Sequence, residues 1–362
     1  MKVDSIYLLI DGKKIDTFTE YEVDLDLYKV NAFKVKLGRP GFRIRKFMEF
    51  QLYVNDRLEI TGLVDKVEPG YSGSERSIDV TGRGLMGWLV DAHTEKSLSL
   101  ANYDAKQLAT WMLSDAPKQF FKLLKVDFAE NITGRIKGKA AKTELFNTAQ
   151  ALSQIEMGMG RFDALSQFAA SRGFLFHEMP DGRFVFDRLK EDVGTAAFRL
   201  VNRLDGRGNV LKGKLSDDGS KMYSKVTVIG QKQEDPLNPN ASPKFNIEAT
   251  KYDRSVPFFK PYVLKDEFGG DRPGLQAQMA IEKMRREAFQ LVYDVRDHSQ
   301  DGKNWTINEL AHVRDEDEDF EVDGKPIDLR LAITGLTFRM NESSGTTTSL
   351  RLGLPAATRS NA

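Results

Sequence analysis

Ile60-Thr61-Gly62-Leu63-Val64 and Ile333-Thr334-Gly335-Leu336-Thr337 repeat one short pattern near opposite ends of a 362-residue chain. Each sits in a long run of β-branched and apolar residues, and each stands towards the end of a β-rich block. If the two are counterparts, the chain holds one β domain twice, with everything else between or inserted. Five residues of this kind recur by chance, so the surrounding blocks must carry the case.

Working outward from Ile60, the first ninety residues read as antiparallel β. Ile6 to Ile10 precedes the turn Asp11-Gly12. Tyr21, Val23, Leu25 and Leu27 then alternate with Glu22, Asp24 and Asp26, and a period of two means one buried face and one wet face. Ala32–Leu37 alternates again. Phe50–Val54 leads through the turn pair Asn55-Asp56 into Leu58–Val67, and Ser77–Arg83 closes the set. Short strands joined by tight turns predict one barrel or sandwich.

Near His93 the character changes. Ala105, Leu108 and Met112 fall at helical spacing within Tyr103–Leu113, with Asp104 as the expected N-cap. A second helix is expected from Arg161 to Arg172-Gly173, and Phe174–Glu178 with Arg183–Asp187 flank the hairpin turn Pro180-Asp181-Gly182. Tyr223–Gly230 returns to β, and Gln231–Pro243, with its prolines, reads as a surface loop. A long helix is expected over Gly274–Tyr293, on the stripe Ala277, Ile281, Met284, Ala288, Phe289 and Val292. Leu329–Met340 and Thr346–Leu352 are the closing strands, followed by a frayed tail.

Composition limits the chemistry. Fifty-three basic and fifty-three acidic residues cancel, which argues against coating a polyanion by bulk charge. With Cys 0 there is no disulfide framework, cysteine-type zinc site or thiol catalyst. No run approaches the ~20 apolar residues of a membrane helix, so no membrane insertion is expected. The four histidines, His93, His177, His298 and His312, sit in no catalytic motif, and His177 in its apolar strand reads as a packed histidine. Gly82-Arg83-Gly84-Leu85-Met86-Gly87 has dinucleotide-loop spacing, but too little chain follows for a βαβ unit. A one-turn helix beneath a barrel is the better reading of Leu85–Val90. Asp315-Glu316-Asp317-Glu318-Asp319 lacks the frame of a calcium loop and reads as a solvated turn. Arg135, Lys137, Lys139 and Lys142 form a basic stretch without the aromatics of a nucleic-acid site. No catalytic, cofactor or metal residues are assigned, and the chain is expected not to be an enzyme.

The order of these segments resembles the baseplate hub proteins of contractile tails, the phage Mu 43 kDa tail protein and late control protein D families. The resemblance runs through Ile60–Asp65, Asp79–Ala92, Asp163–Ala169, Arg172–Leu175, Asp181–Val185, Arg285–Ala288, Trp305–Asn308, Ile333–Phe338 and Gly345–Leu352. It implies an α+β, mainly β chain with two tail-tube-like antiparallel β-barrels. The implied organisation is a first barrel over 1–93, an α/β middle over 94–200, and a discontinuous second barrel over 201–239 and 306–354. An insertion with the long helix occupies 240–305, and a tail 355–362. Gly62, Gly82, Arg83, Trp88, Asp91, Trp305, Asn308 and Gly335 are the motif positions, expected to be structural, while interface residues stay unassigned.

The function implied is a homotrimeric ring joining a six-fold tail tube to a three-fold central spike around a DNA channel. Its implied partners are the tube protein or its initiator, the spike and baseplate wedge components, with transient DNA passage. The implied location is the virion tail, after assembly in the host cytoplasm. A type VI secretion-like spike hub is one alternative, although such chains mostly continue into a spike segment, whereas this one stops at Ala362. A cell-wall glycan-binding or hydrolase-accessory module is the other, for which Trp111 and Asp115 are weak candidates.

Overall fold

The computed structural model describes residues 4–38, 40–73, 75–99, 105–116, 126–128, 154–171, 174–231, 245–265, 273–322, 324–341 and 345–356. The first block holds β1 (Ile6–Ile10), β2 (Lys13–Ile15), β3 (Phe18–Asp26), β4 (Ala32–Leu37), β5 (Glu49–Val54), β6 (Arg57–Ser72) and β7 (Glu75–Gly84). Its turns follow from local chemistry. Asp11 and Gly12 both have positive φ between β1 and β2, as do Asn55 and Asp56 between β5 and β6. Two such residues in a row make the tight hairpin turn whose twist matches paired strands.

The middle block contains α1 (Met86–Asp91), α2 (Ala105–Met112), the short strand β8 (Val126–Phe128), α3 (Arg161–Ser171), β9 (Leu175–Glu178) and β10 (Phe184–Asp187). Its own apolar core joins Leu85, Met86 and Leu89 to Leu108, Met112, Leu165, Phe168, Phe176 and Phe186. Helix α1 packs on α3 in the middle core, and Val30 and Leu63 of the first block close against the same core. Asp104, Arg172, Gly173 and the basic stretch Arg135–Lys142 lie outside the described residues.

The last block brings β11 (Phe198–Asn202), β12 (Val210–Asp217), β16 (Phe289–Arg296), β17 (Leu310–Asp315), β18 (Asp328–Asn341) and β19 (Gly345–Gly353). Between β12 and β16 lie β13 (Lys225–Gln231), β14 (Phe245–Tyr252), β15 (Pro261–Lys265) and helix α4 (Pro273–Ala288). These form a separate three-stranded sheet, with Val226 and Val228 packed on Ala277 and Ile281 of the helix. Of the expected surface loop Gln231–Pro243, Gln231 closes β13 and the remainder lies outside the described residues. The expected helix Gly274–Tyr293 is corrected: α4 stops at Ala288 and Phe289 opens β16. Phe289, Leu291, Tyr293 and Val295 are buried in alternation, and pairing with β12 and β19 holds that segment extended.

The chain is mainly β and antiparallel, and its principal sheet has thirteen strands. Two strand orders emerge within it. The first block runs β3-β4-β7-β6-β5-β1, and the last runs β12-β16-β19-β18-β17-β11. Strand for strand in chain order, the second path repeats the first. Two bulges coincide as well. A register shift falls between Phe18 and Glu20 on β3 and between Val210 and Lys212 on β12. Another falls between Val64 and Lys66 on β6 and between Ile333 and Gly335 on β18. Bulges are fixed local features of a ladder, so Thr19 answers to Leu211 and Asp65 to Thr334. The echo at Ile60 and Ile333 thus lies on counterpart strands, but four residues out of step. The pairing of β11 with β17 is parallel, whereas β1 with β5 is antiparallel.

The two blocks meet where Gly335–Met340 of β18 pairs with Tyr21–Asp26 of β3. One core spans the junction, including Leu8, Val23, Phe50 and Val80 from the first block and Leu291, Trp305, Leu336, Phe338 and Leu350 from the last. Each such side chain contributes about 1.5–3 kcal/mol by leaving water.

Candidate assembly junction

Around the β3–β18 ladder the side chains form a charged clamp on one face and a buried relay on the other. Arg351 of β19 reaches across β18: its guanidinium donates to Asp24 at 2.9 Å and to the Leu25 carbonyl at 2.9 Å, and lies 3.2 Å from Asp26. Thr337 also donates to Asp24 at 2.7 Å, and Arg339 pairs with Glu22 at 3.1 Å. A Cβ at Gly335 would collide with the Arg351 guanidinium, so glycine lets the arginine cross the strand.

On the opposite face His298 is fully buried between the blocks. Thr348 spends its one hydroxyl proton on the Asp297 carbonyl, 2.6 Å away. Its oxygen therefore accepts from His298 Nδ1 at 3.0 Å, which leaves Nε2 to accept from the Tyr21 hydroxyl at 2.7 Å. This relay requires a neutral imidazole, and burial holds the His298 pKa down at about 3.

The motif positions of the first block serve a matching purpose. Arg83 binds Asp65 through Nε at 2.7 Å and Asp91 through Nη2 at 2.7 Å, tying β7 to β6 and to the end of α1. The guanidinium holds the Asp91 carboxyl below its ordinary range. A Cβ at Gly62 would strike the Arg83 carbonyl, and one at Gly82 would press on the Phe33 and Phe50 rings. Trp88 is stacked under the Arg161 guanidinium, 5.0 Å from its centroid. Trp305 is buried against Phe198, and its carbonyl accepts from Arg57 at 2.9 Å. Asn308, at φ 58°, bonds Asp187, the Arg188 carbonyl and the Lys190 amide, holding the middle block to the last. These residues are spread over three junctions and converge on no single cleft.

Several groups went unread in the sequence. Glu178, at the end of β9, is wholly buried, and its carboxyl accepts from the Met86 amide at 2.6 Å and from Asn31 at 3.3 Å. Burial raises its pKa to about 8. A Cβ at Gly84 would occupy the place of that carboxyl. The carboxyl thus caps α1 from inside the seam between blocks. His177 beside it is buried, with Nε2 3.2 Å from Asp187. The acidic run is corrected at its first residue. Asp315 is buried, accepts from the Tyr293 hydroxyl and from Asn202, and only the later residues form the exposed turn. Among the described residues no group of three or more His, Asp or Glu is placed to hold a metal, and no helix is long and apolar enough to cross a membrane. Trp111 and Asp115 fall at the end of α2, where Asp115 pairs with Arg161.

Against known proteins, residues 5–84 match the family model of the Mu phage baseplate assembly protein GpP-like N-terminal domain. No curated protein matches the chain in sequence. In fold it is similar to the tail protein from Neisseria meningitidis MC58, with TM-score 0.75 and 22% identity over 97% of this chain and 96% of that one. The prophage MuSo2 43 kDa tail protein from Shewanella oneidensis gives TM-score 0.70 at 20% identity, over 96% and 98%. A component of the E. coli type VI secretion system, described as similar to T4 tail proteins gp27 and gp5, gives 0.52 at 12%, over 97% and 77%. The resemblance read in the sequence therefore stands: the first block matches the Mu-type baseplate domain, and the whole chain is similar in fold to phage tail proteins.

Proposed function

We propose that the chain is the structural hub of a contractile phage or phage-like tail baseplate. Three copies form a ring of six β repeats, which joins the six-fold tube to the three-fold spike and encloses the DNA channel. The observation that carries this reading is the strand-for-strand repeat, with its two copies joined edge to edge through β3 and β18. A chain carrying two like units converts three-fold into quasi-six-fold symmetry when three copies associate head to tail. Each repeat is read as a tube-like barrel, the first built of β1 and β3–β7 within the expected 1–93, the second of β11, β12 and β16–β19. The expected segments 201–239 and 306–354 are thereby corrected, because β16 belongs to the barrel and β13–β15 with α4 form the insertion. The partners of such a hub are the tube protein or its initiator, the central spike and wedge components of the baseplate.

The test is the native mass of the purified chain, alone and co-expressed with the spike protein of its own tail. A species of three times 40.9 kDa, free or bound to spike, is expected. A monomer under both conditions overturns the reading. The likeness to the E. coli secretion component favours one second reading, a type VI-like spike hub. Recovery of the chain from purified tail particles separates the two.

A further inference from the structure

The β3–β18 ladder is a template for a contact that a single chain leaves unmade. β18 is edged first by β17, along Asp328–Ala332, and then on the same side by β3, along Gly335–Met340. Its counterpart β6 is edged by β5 as far as Leu63, and Val64 bonds the backbone of Phe47 and Met48. From Lys66 to Ser72 no described strand pairs with that side. The complementary vacancy lies at the other end of the sheet. β3 lies between β4 and β18, but its counterpart β12 pairs with β16 alone.

We propose that β12 of one chain adds antiparallel to the open edge of β6 in the next, closing the ring by repeating the intrachain junction. The inference rests on the hub reading and names the strands that make its trimer contact. The shared bulges set the register. Lys66–Tyr71 answers to Gly335–Met340, and Gly213–Asp218 answers to Tyr21–Asp26. The new ladder therefore places Lys66 opposite Asp218, Val67 opposite Asp217, Glu68 opposite Ser216, Pro69 opposite Leu215, Gly70 opposite Lys214 and Tyr71 opposite Gly213.

The side chains suit that register. On one face Lys66 meets Asp218, and Glu68 lies diagonal to Lys214, within reach of a long side chain. On the other, Tyr71, 88% exposed in the single chain, arrives opposite Gly213, beside the Phe320 ring that covers this glycine. Leu211, 49% exposed, stands on the same open strand. Proline is tolerated within sheets mainly at edges. Pro69 has no N–H to give, so the proposed ladder carries one backbone bond fewer than its internal template.

The chain has no cysteine, so a double variant carries only the pair introduced. Glu68→Cys with Ser216→Cys places two exposed positions directly opposite across the proposed contact, within disulfide reach. Glu68→Cys with Asp217→Cys points the second thiol to the other face. Both are oxidised mildly under the condition that yields the wild-type trimer and run without reductant. Covalent trimer is expected to dominate the first variant and to be absent from the second. A wild-type trimer whose E68C/S216C variant stays uncross-linked, or cross-links no better than E68C/D217C, overturns the edge pairing and leaves the hub reading intact. Monomers throughout overturn both.

Discussion

Replacing Glu178 by Gln tests whether the seam between the first and middle blocks is held by a neutral carboxyl. Burial raises the Glu178 pKa from 4.5 to about 8. Between those values the native protein keeps a proton that the unfolded chain gives up. Its stabilising effect is complete below pH 4.5, falls as pH rises, and is exhausted above 8. At about 1.36 kcal/mol per pH unit, the wild type loses about 5 kcal/mol across this window. Gln cannot ionise, so E178Q removes that slope. Its amide meets the donor on Asn31, whose own oxygen is committed to the Asp26 amide, so at pH 4.5 the variant is the less stable by about 1 kcal/mol. Urea unfolding at pH 4.5, 6, 7.5 and 9, followed by tryptophan fluorescence, reads both proteins; Trp88 and Trp111 pack on the middle core. The stability difference, E178Q minus wild type, is expected to climb by about 5 kcal/mol from pH 4.5 to above 8. A difference that stays flat over this range refutes the reasoning.

His298 gives the opposite limb. Its pKa falls from 6.5 to about 3 on folding, so below pH 6.5 the unfolded chain takes up a proton that the native state refuses, and stability falls towards pH 3. H298F removes this limb, so it gains up to about 5 kcal/mol on wild type across that span, while at pH 7 it is less stable by about 1–3 kcal/mol because two hydroxyls lose their partner. Urea unfolding between pH 7 and 3.5 measures both. Asn308→Ala frees the backbone at Arg188 and Lys190, and limited trypsin digestion should nick those two bonds faster than in the wild type, with mass spectrometry locating the cuts.

What could be read from residues alone follows how far apart the determining groups lie. The turns at Asp11-Gly12 and Asn55-Asp56 were legible because positive φ selects such residues locally. The boundary between α4 and β16 was not. Phe289 and Val292 continue a helical stripe and also fit an alternating strand, and the tie is broken by β12 and β19, strands far away in sequence. The buried polar groups were hidden for the same reason. Glu178 is desolvated beside Asn31, 147 positions away, and His298 is fixed by Tyr21, 277 positions away. Duplication was suggested by the echo of Ile60 and Ile333, yet the counterparts set by the bulges are Asp65 and Thr334. The motif matched the right strands through the wrong residues, because bulge position is a property of the ladder and leaves little mark on residue identity.

That separation of backbone from side chain bears on how the proposed ring keeps its order. A strand ladder needs only register, so either free edge could accept either strand on backbone grounds alone. The side chains decide. If β12 took the place of β3 against β18, Lys214 would lie opposite Arg339, and Arg351 would face Ser216 where it now binds Asp24. If β3 took the place of β12 against β6, Asp24 would lie opposite Glu68. Like charges directly opposite on a sheet are unfavourable, each by roughly 0.2–1 kcal/mol, and losing the Arg351 clamp leaves the Leu25 carbonyl without its donor. The charge reversal between Glu22 and Lys214, at counterpart positions, thus biases β18 towards β3 and away from β12, and in the proposed ring it favours alternation of the internal and external junctions.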